Sequence, residues 1–227
     1  MQILRLLFYQ HKGGKGVSAP PPAKGIKRFF FLYFTHFWRL MGLNLLFILA
    51  CLPVVTIPPA MTAMCKVLLN LAREGNTFYL KDFMDEFKSS FWKSWVAFLP
   101  ALVIIGLGIA LFSNIGDAYA NMPLVIVYVM IGSFVYCETA YCMCMIALID
   151  LPLGKIVKNA LIMVLVEMKR SILIIMTIPV LLLCAIFYIY SIPLTLLFVF
   201  SFIGMVNVMT ANEAIEIHVI QPNLKER

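Results

Sequence analysis

From Leu124 to Ile149 the chain runs for twenty-six residues with one charged side chain, Glu138. A helix needs about twenty mainly apolar residues to cross the hydrocarbon core of a bilayer. Three further stretches, 95–112, 172–190 and 193–211, contain no Asp, Glu, Lys or Arg at all. In hydrocarbon every backbone N–H and C=O must find its partner inside the protein, which leaves helices and closed barrels. These runs are about twice the length of a barrel strand. The chain is therefore read as all-α, a polytopic membrane helix bundle. Composition agrees: 63% of residues are hydrophobic types, 13% are charged, and mean hydropathy is +0.96. Soluble domains sit nearer half apolar and about a quarter charged.

The first expected crossing is 34–53, with the aromatic residues from Phe29 to Trp38 at its interfacial approach. The stretch "PVVTIPP" follows. Thr56 is a helix-capping type, and Pro58 and Pro59 suit a first turn, where N–H groups have no helical partner. Arg73, Glu74 and Gly75 mark an end, with Gly as C-cap. A helix over 57–74 would be about 27 Å long, nearly a full crossing. The favoured reading is a tight hairpin with "PVVTIPP" as its turn; the alternative lays 57–74 in the interface. Next, Phe83, Phe87 and Phe91 recur four apart within 79–95, which predicts an amphipathic surface helix. Crossings over 95–112, with Pro100 as a kink point, and over 124–149 follow, joined by the 113–123 turn. The 150–171 segment is read as a second surface helix. Crossings over 172–190 and 193–211, joined by the "YSIP" turn, complete six, or five if 57–74 does not cross.

Three regions result: 1–28, a cytoplasmic N-terminal helix and flexible tail; 29–215, the transmembrane domain; and 216–227, a cytoplasmic tail. Residues 1–9 lack the uninterrupted core of a signal peptide, because Arg5 breaks it. The formal net charge is +7. The cations flank apolar runs, so anionic lipid explains them better than nucleic acid. The turns at 113–123 and 190–192 have no Lys or Arg, whereas 75–94 has Lys81, Lys88 and Lys93 and 150–171 has Lys155, Lys158, Lys169 and Arg170. The positive-inside rule places the basic segments, and with six crossings both termini, on the cytoplasmic side of a bacterial cell membrane.

The stretch "NLLFILACLPVVTIPPAMTAMCKVLLNLAREG", 44–75, resembles the YesL-like family of bacterial membrane proteins, whose function is unassigned. Asn44, Pro53, Thr56, Pro59, Thr62, Ala63, Arg73, Glu74 and Gly75 carry the likeness; Pro58 stands where the family more often has Gly. Segments 83–94 and 151–172 look like the family's Phe-rich helix and later loop. The resemblance implies a Gram-positive source and an accessory role beside ATP-driven carbohydrate permeases. It implies no catalytic residues and no cofactor.

Glu138 and Lys66 are the clearest deep ionisable groups, and such groups are costly in lipid unless paired or facing water. They are read as a structural pair or as part of a pathway, with Asn44 as a third intramembrane polar group. "CETAYCMCM", 137–145, brings thiols and thioethers together, and Cys137, Cys144, Met145 and Tyr141 share a broad helical face. Copper(I) favours such ligands. Cys142 and Cys144, however, point about 200° apart on a helix, and sulfur-rich packing is the preferred reading. His11, His36 and His218 show no zinc-type spacing. Gly13, Gly14 and Gly16 lack the Gly-Lys-Ser/Thr ending of a phosphate loop. Asn207, Asn212 and Glu213 are read as structural groups first, with a polar cytoplasmic mouth near Arg73 or Lys169 as the alternative. Asp82, Asp85, Glu86 and Lys88 are read as a solvated face, and Asn159 and Thr210 as local helix bonds.

The leading expectation is an integral membrane accessory or assembly protein beside a carbohydrate uptake transporter. Its partners are lipids and permease subunits, with a homo-oligomer left open. The alternative is a transporter or channel for an unidentified small solute. An enzyme is not expected, since no nucleophile–base pair stands out.

Overall fold

The apolar runs become long helices. The computed structural model describes residues 25–75, 77–114, 122–186 and 198–220, and every regular element among them is helical. The described residues begin with α1 (Ile26–Thr35), α2 (Phe37–Cys51) and a 3-10 turn, Val54–Thr56. Then come α3 (Ile57–Glu74), α4 (Tyr79–Ser89), α5 (Phe91–Asn114) and α6 (Met122–Leu148). The rest is α7 (Leu153–Val166), α8 (Met168–Ile175), α9 (Thr177–Ile186), α10 (Phe200–Ile215) and a π-helical turn, Glu216–Ile220. Helical winding thus continues past the expected boundary at 215. The expected N-terminal helix, the "YSIP" turn and most of the 113–123 turn lie outside the described residues. Among the described residues three helices are long and apolar enough to cross a bilayer: Val54–Glu74, Phe91–Leu111 and Met122–Leu148.

The expected first crossing, 34–53, is broken. α1 and α2 meet at His36 with a bend of 79°. The pair makes a fourth span only if it counts as one. The cause is tertiary. Phe29 and Tyr33 pack edge-on against Phe202 of α10, at 5.4 and 5.7 Å between ring centroids. The Arg28 guanidinium donates to the Ala72 carbonyl at the end of α3. These contacts pull α1 aside, and α2 alone is about 22 Å long. The fifth expected crossing, 172–190, also breaks, because α8 ends at Ile175. Pro179 has no N–H for the Ile175 carbonyl and its ring crowds that group. The Thr177 hydroxyl donates to the Ile174 carbonyl across the break. The expected 150–171 surface helix divides at Glu167, whose ψ of 50° is not helical.

Helix α3 has the expected ends. Pro58 and Pro59 occupy its first turn, and Gly75 closes it in the left-handed region at φ 71°, its N–H bonded to the Leu71 carbonyl. Thr56 differs from expectation: its hydroxyl caps no N–H of α3 but turns back to the Ala50 and Pro53 carbonyls. α3 is the centre of the bundle, in contact with α2, α4, α5, α6 and α10. Gly204 lets α10 approach, because a Cβ there would lie 2.8 Å from Leu68 Cδ1. Such close approach of small residues substitutes for the hydrophobic effect, which lipid does not supply between helices.

Helix α4 is amphipathic as expected, but its Phe ridge faces protein. Phe83 is buried and stacks on Phe87, with 6.1 Å between centroids. Asp82 and Glu86 are half-buried on this inner side, while Lys81, Asp85 and Lys88 are exposed. Asp82 accepts from Asn70 of α3 and from Thr77. From there α4 and the start of α5 run antiparallel to α3, until the Trp95 indole donates to the Val55 carbonyl at 3.0 Å. This contact sets the "PVVTIPP" turn against the start of α5. Lys93, two residues before Trp95, pairs with Asp150 just past the end of α6. α3 runs parallel to α6, from Thr62 at Met143 to Lys66 at Ala147, so its C-terminal half lies where α6 ends and the turn lies deeper in the bundle.

α5 continues as a helix through Pro100 and packs antiparallel against α6. α6 has two halves: residues such as Leu124, Ile126, Val127, Val129 and Met130 are exposed, whereas 137–147 are buried without interruption. The hairpin closes where the Tyr128 hydroxyl donates to the Ile104 carbonyl and its ring covers Gly108. A Cβ at Gly108 would sit 2.1 Å from that hydroxyl and 2.8 Å from the ring carbon bearing it. Gly108→Ala should cost about 1–3 kcal/mol through overpacking. Thermal unfolding in detergent, followed with a thiol-reactive dye, checks this; adding Tyr128→Ala should recover most of the loss.

Candidate functional site

The interior polar groups are few, and the helices gather them into small clusters. Asn44 of α2 is fully buried. Its Oδ1 accepts from the Ser201 N–H at 2.8 Å and from the Ser201 hydroxyl at 3.2 Å; that hydroxyl also bonds the Leu40 carbonyl. Asn44 thus clasps α10 from another helix, where the π-helical residues 198–199 lead into it. Thr62 of α3 meets Ser94 of α5 at 2.7 Å and the Met143 thioether of α6 at 2.9 Å. Tyr136 of α6 meets Thr177 at 2.8 Å and accepts from the Asn207 amide at 3.0 Å, tying α6 to α9 and α10.

Lys66 and Glu138 are not brought together. The Lys66 ammonium donates to the Ala147 carbonyl at 2.7 Å. That carbonyl belongs to the last turn of α6, where acceptors are orphaned and the helix dipole favours a cation. Lys66 also faces Glu86 of α4. Burial pushes the Glu86 carboxyl above its ordinary range, against the pull of Lys66 and Lys93. Glu138 is buried, and its Oε1 takes the Cys142 thiol at 3.3 Å, one turn along the same helix. Nine residues of α6, about 13 Å of rise, separate Glu138 from the carbonyl that Lys66 holds.

The thiols of the "CETAYCMCM" segment go to separate partners. Cys142 serves Glu138, Cys137 points at the Ser171 carbonyl at 3.5 Å, and Cys144 faces Cys65 of α3. Tyr141 and Met145 are fully buried. Among the described residues no group of three His, Cys, Asp or Glu is placed to hold a metal ion.

The largest charged cluster was only half legible. The expected polar mouth forms only in part: Asn207 turns to Tyr136 instead, while Arg73 donates to Asn212 Oδ1 at 2.7 Å and Glu213 lies 3.7 Å from a guanidinium. That guanidinium is Arg170, not Lys169. The hub is Glu167 at the α7–α8 elbow. One of its oxygens pairs with Arg170 and the other with His218 Nε2 at 2.6 Å. Burial opposes the Glu167 charge, yet the bonds and charges of His218 and Arg170 outweigh it and hold the carboxyl below its ordinary value. Ala211 and Ala214, both fully buried, give α10 a small face that allows close packing beside this hub. No sequence spacing links 167, 170, 213 and 218; only the two Ala positions hinted at a tight helix contact.

The remaining motif residues lie at the two ends of α3. Pro53 leads into the 3-10 turn, Pro59 is buried in the first turn of α3, and Glu74 is exposed at its end. Residues 40–114 match DUF624, a protein family of unknown function. The DUF624 stretch takes in most of α2, the turn, and all of α3, α4 and α5. It therefore contains Asn44, Thr62, Lys66 and Trp95, but neither Glu138 nor the Glu167 hub. No curated protein and no solved structure matches the chain.

Proposed function

We propose that this chain is an integral membrane accessory or assembly protein, of the YesL-like type, that works beside an ATP-driven carbohydrate uptake transporter. One observation supports an accessory role over a conducting one: several buried polar groups are engaged between helices, and of the rest only the Tyr141 hydroxyl and Asn207 Oδ1 are buried without a hydrogen-bond partner among the described residues. Asn44, Thr62 and Tyr136 each join α-helices distant in sequence, and Lys66 closes the end of α6. A solute pathway needs polar groups turned toward a common passage. Here Lys66 and Glu138, the two residues that would mark one, have separate local partners. The carbohydrate context comes from the family resemblance of 44–75. Partners would meet the charged outer face of α4 and the Lys155, Lys158 and Lys169 side of α7 and α8, which are exposed. The basic segments assign α4 and the α7–α8 region to the cytoplasmic side of a bacterial cell membrane, and with an even number of crossings both termini lie there too.

Purification from the native host in mild detergent, with mass spectrometry of the co-eluting proteins, tests this reading. Permease subunits in stoichiometric amount are expected. Clean isolation of the chain under conditions that keep other membrane complexes intact would contradict it.

A further inference from the structure

The contacts between α3 and α6 fix how deep the α2–α3 turn lies. Thr62 meets Met143 and Lys66 meets Ala147, each pair 81 positions apart, so the two helices run level with each other. The turn at 54–56 is therefore level with about Tyr136, near the middle of α6. Beyond that level α6 continues for about fourteen residues, or about 21 Å, to Met122. Leu124, Ile126, Val129 and Met130 in that stretch are exposed, and Met122–Ile131 holds no charged residue. An exposed apolar stretch of this kind belongs in hydrocarbon. Were the turn at the far membrane surface, that stretch would stand in water. Both arms of the turn open the other way. Arg28 of α1 donates to the Ala72 carbonyl near the end of α3, and a Cβ on Gly42 of α2 would lie 3.5 Å from the Tyr79 ring of α4.

The turn has the chemistry that such depth requires, since backbone groups there must be satisfied within the protein. A helix start normally leaves N–H groups without partners. Here the Thr56 N–H donates to the Pro53 carbonyl and the Ile57 N–H to Val54, while Pro58 and Pro59 have no N–H. The Thr56 hydroxyl serves the Ala50 and Pro53 carbonyls, and the Trp95 indole serves Val55. Leu52 and Val54 are 73% and 75% exposed, and Val55 is exposed beside them. A water-facing turn would normally carry Gly, Asn, Asp or Ser. The other ends of these helices carry interfacial residues. Trp38 lies about fourteen residues before Leu52, or about 21 Å up α2. Trp92 precedes Lys93, whose partner Asp150 lies about as far from the level of Tyr136. Both indoles are exposed, and Trp collects at the membrane boundary. We propose that α2, the turn and α3 form a re-entrant hairpin. It enters and leaves through the membrane face where α6 ends, and residues 52–55 contact acyl-chain ends near mid-bilayer. α1, bent 79° from α2, lies along that face with Lys27, Phe30 and Phe34 exposed. α3, although long enough to cross, does not join two faces.

The test uses the full chain in vesicles of phosphatidylethanolamine and phosphatidylglycerol. The six native cysteines are replaced and a nitroxide is attached at Val54→Cys, Ile131→Cys or Glu74→Cys. Oxygen concentrates at the bilayer centre, and a water-soluble nickel complex stays outside. Oxygen should broaden the Val54 label several-fold more than nickel does, as at Ile131, and the order should reverse at Glu74. Nickel broadening at Val54 equal to or above that by oxygen would overturn the proposal, because it puts the turn in water. A second measurement leaves the cysteines in place and adds Val54→Trp to a chain carrying Trp38→Phe and Trp92→Phe. The fluorescence that Val54→Trp adds to that of Trp95 should be quenched most by lipids brominated near the acyl-chain ends; a maximum for bromines near the headgroup would equally overturn it.

Discussion

Replacing Asn44 with leucine should destabilise the folded chain by about 2–3 kcal/mol, since a buried donor left without its acceptor costs on the order of 1–3 kcal/mol. The variant is apolar and near in size, so in lipid it removes little packing. What it removes is the acceptor for the Ser201 N–H and one acceptor for the Ser201 hydroxyl. The hydroxyl keeps the Leu40 carbonyl, while the Ser201 N–H loses its side-chain acceptor. Ser201→Ala should cost less, because it leaves that N–H on Asn44. The double variant should lose less than the sum of the two, with a coupling of about 0.5–3 kcal/mol. Thermal unfolding read by the native cysteines, three of which are fully buried in α6, measures all of these. A neutral or stabilising Asn44→Leu would remove Asn44 as the clasp between α2 and α10.

Glu167→Gln should free the last turn of the described chain. The amide keeps the shape and loses the charge that pairs with both Arg170 and His218. Hydrogen bonds to charged groups contribute about 1.5–3 kcal/mol each. One such loss would speed amide exchange over 216–220 by about tenfold or more at neutral pH. The pH dependence has a definite sign. The Glu167 carboxyl is held below its ordinary value, so its contribution is complete above the unfolded value of about 4.3. It is lost as pH falls through the lower folded value. Wild type and Glu167→Gln should therefore differ at neutral pH and converge only below the lowered folded value. Exchange that is equally fast in both chains at neutral pH would show that the hub does not hold the turn.

The two halves of this account were unequally legible in the sequence. The lipid environment and the ends of α3 follow from local features: charge-free runs, prolines at one end and a glycine at the other. The amphipathic period of α4 was also visible, but the same Phe ridge suits lipid or another helix, and the choice fell to α3. The break at His36 depends on Phe202, and the break at Ile175 on a proline four residues later, which was present to be read. Lys66 was recognisable as a deep cation, yet its partner is a backbone carbonyl, and a carbonyl leaves no mark in sequence. The pairing of Lys66 with Glu138 was the natural guess from charge alone. Charge balance likewise put the "PVVTIPP" turn outside, and a single indole bond places it beside α5. The Glu167 hub joins residues up to fifty-one positions apart, between Glu167 and His218, beyond the reach of any local pattern.

The central claim is that the polar groups at depth fasten helices together and do not line a watered path. Cys142 reports on this directly, because its thiol touches Glu138 and is fully buried. Native membranes can be treated with a small water-soluble maleimide and the α6 peptide analysed by mass spectrometry. The account predicts that Cys142 stays unmodified in the folded protein and reacts fully after unfolding in detergent; stoichiometric modification before unfolding would show water at Glu138 and contradict it.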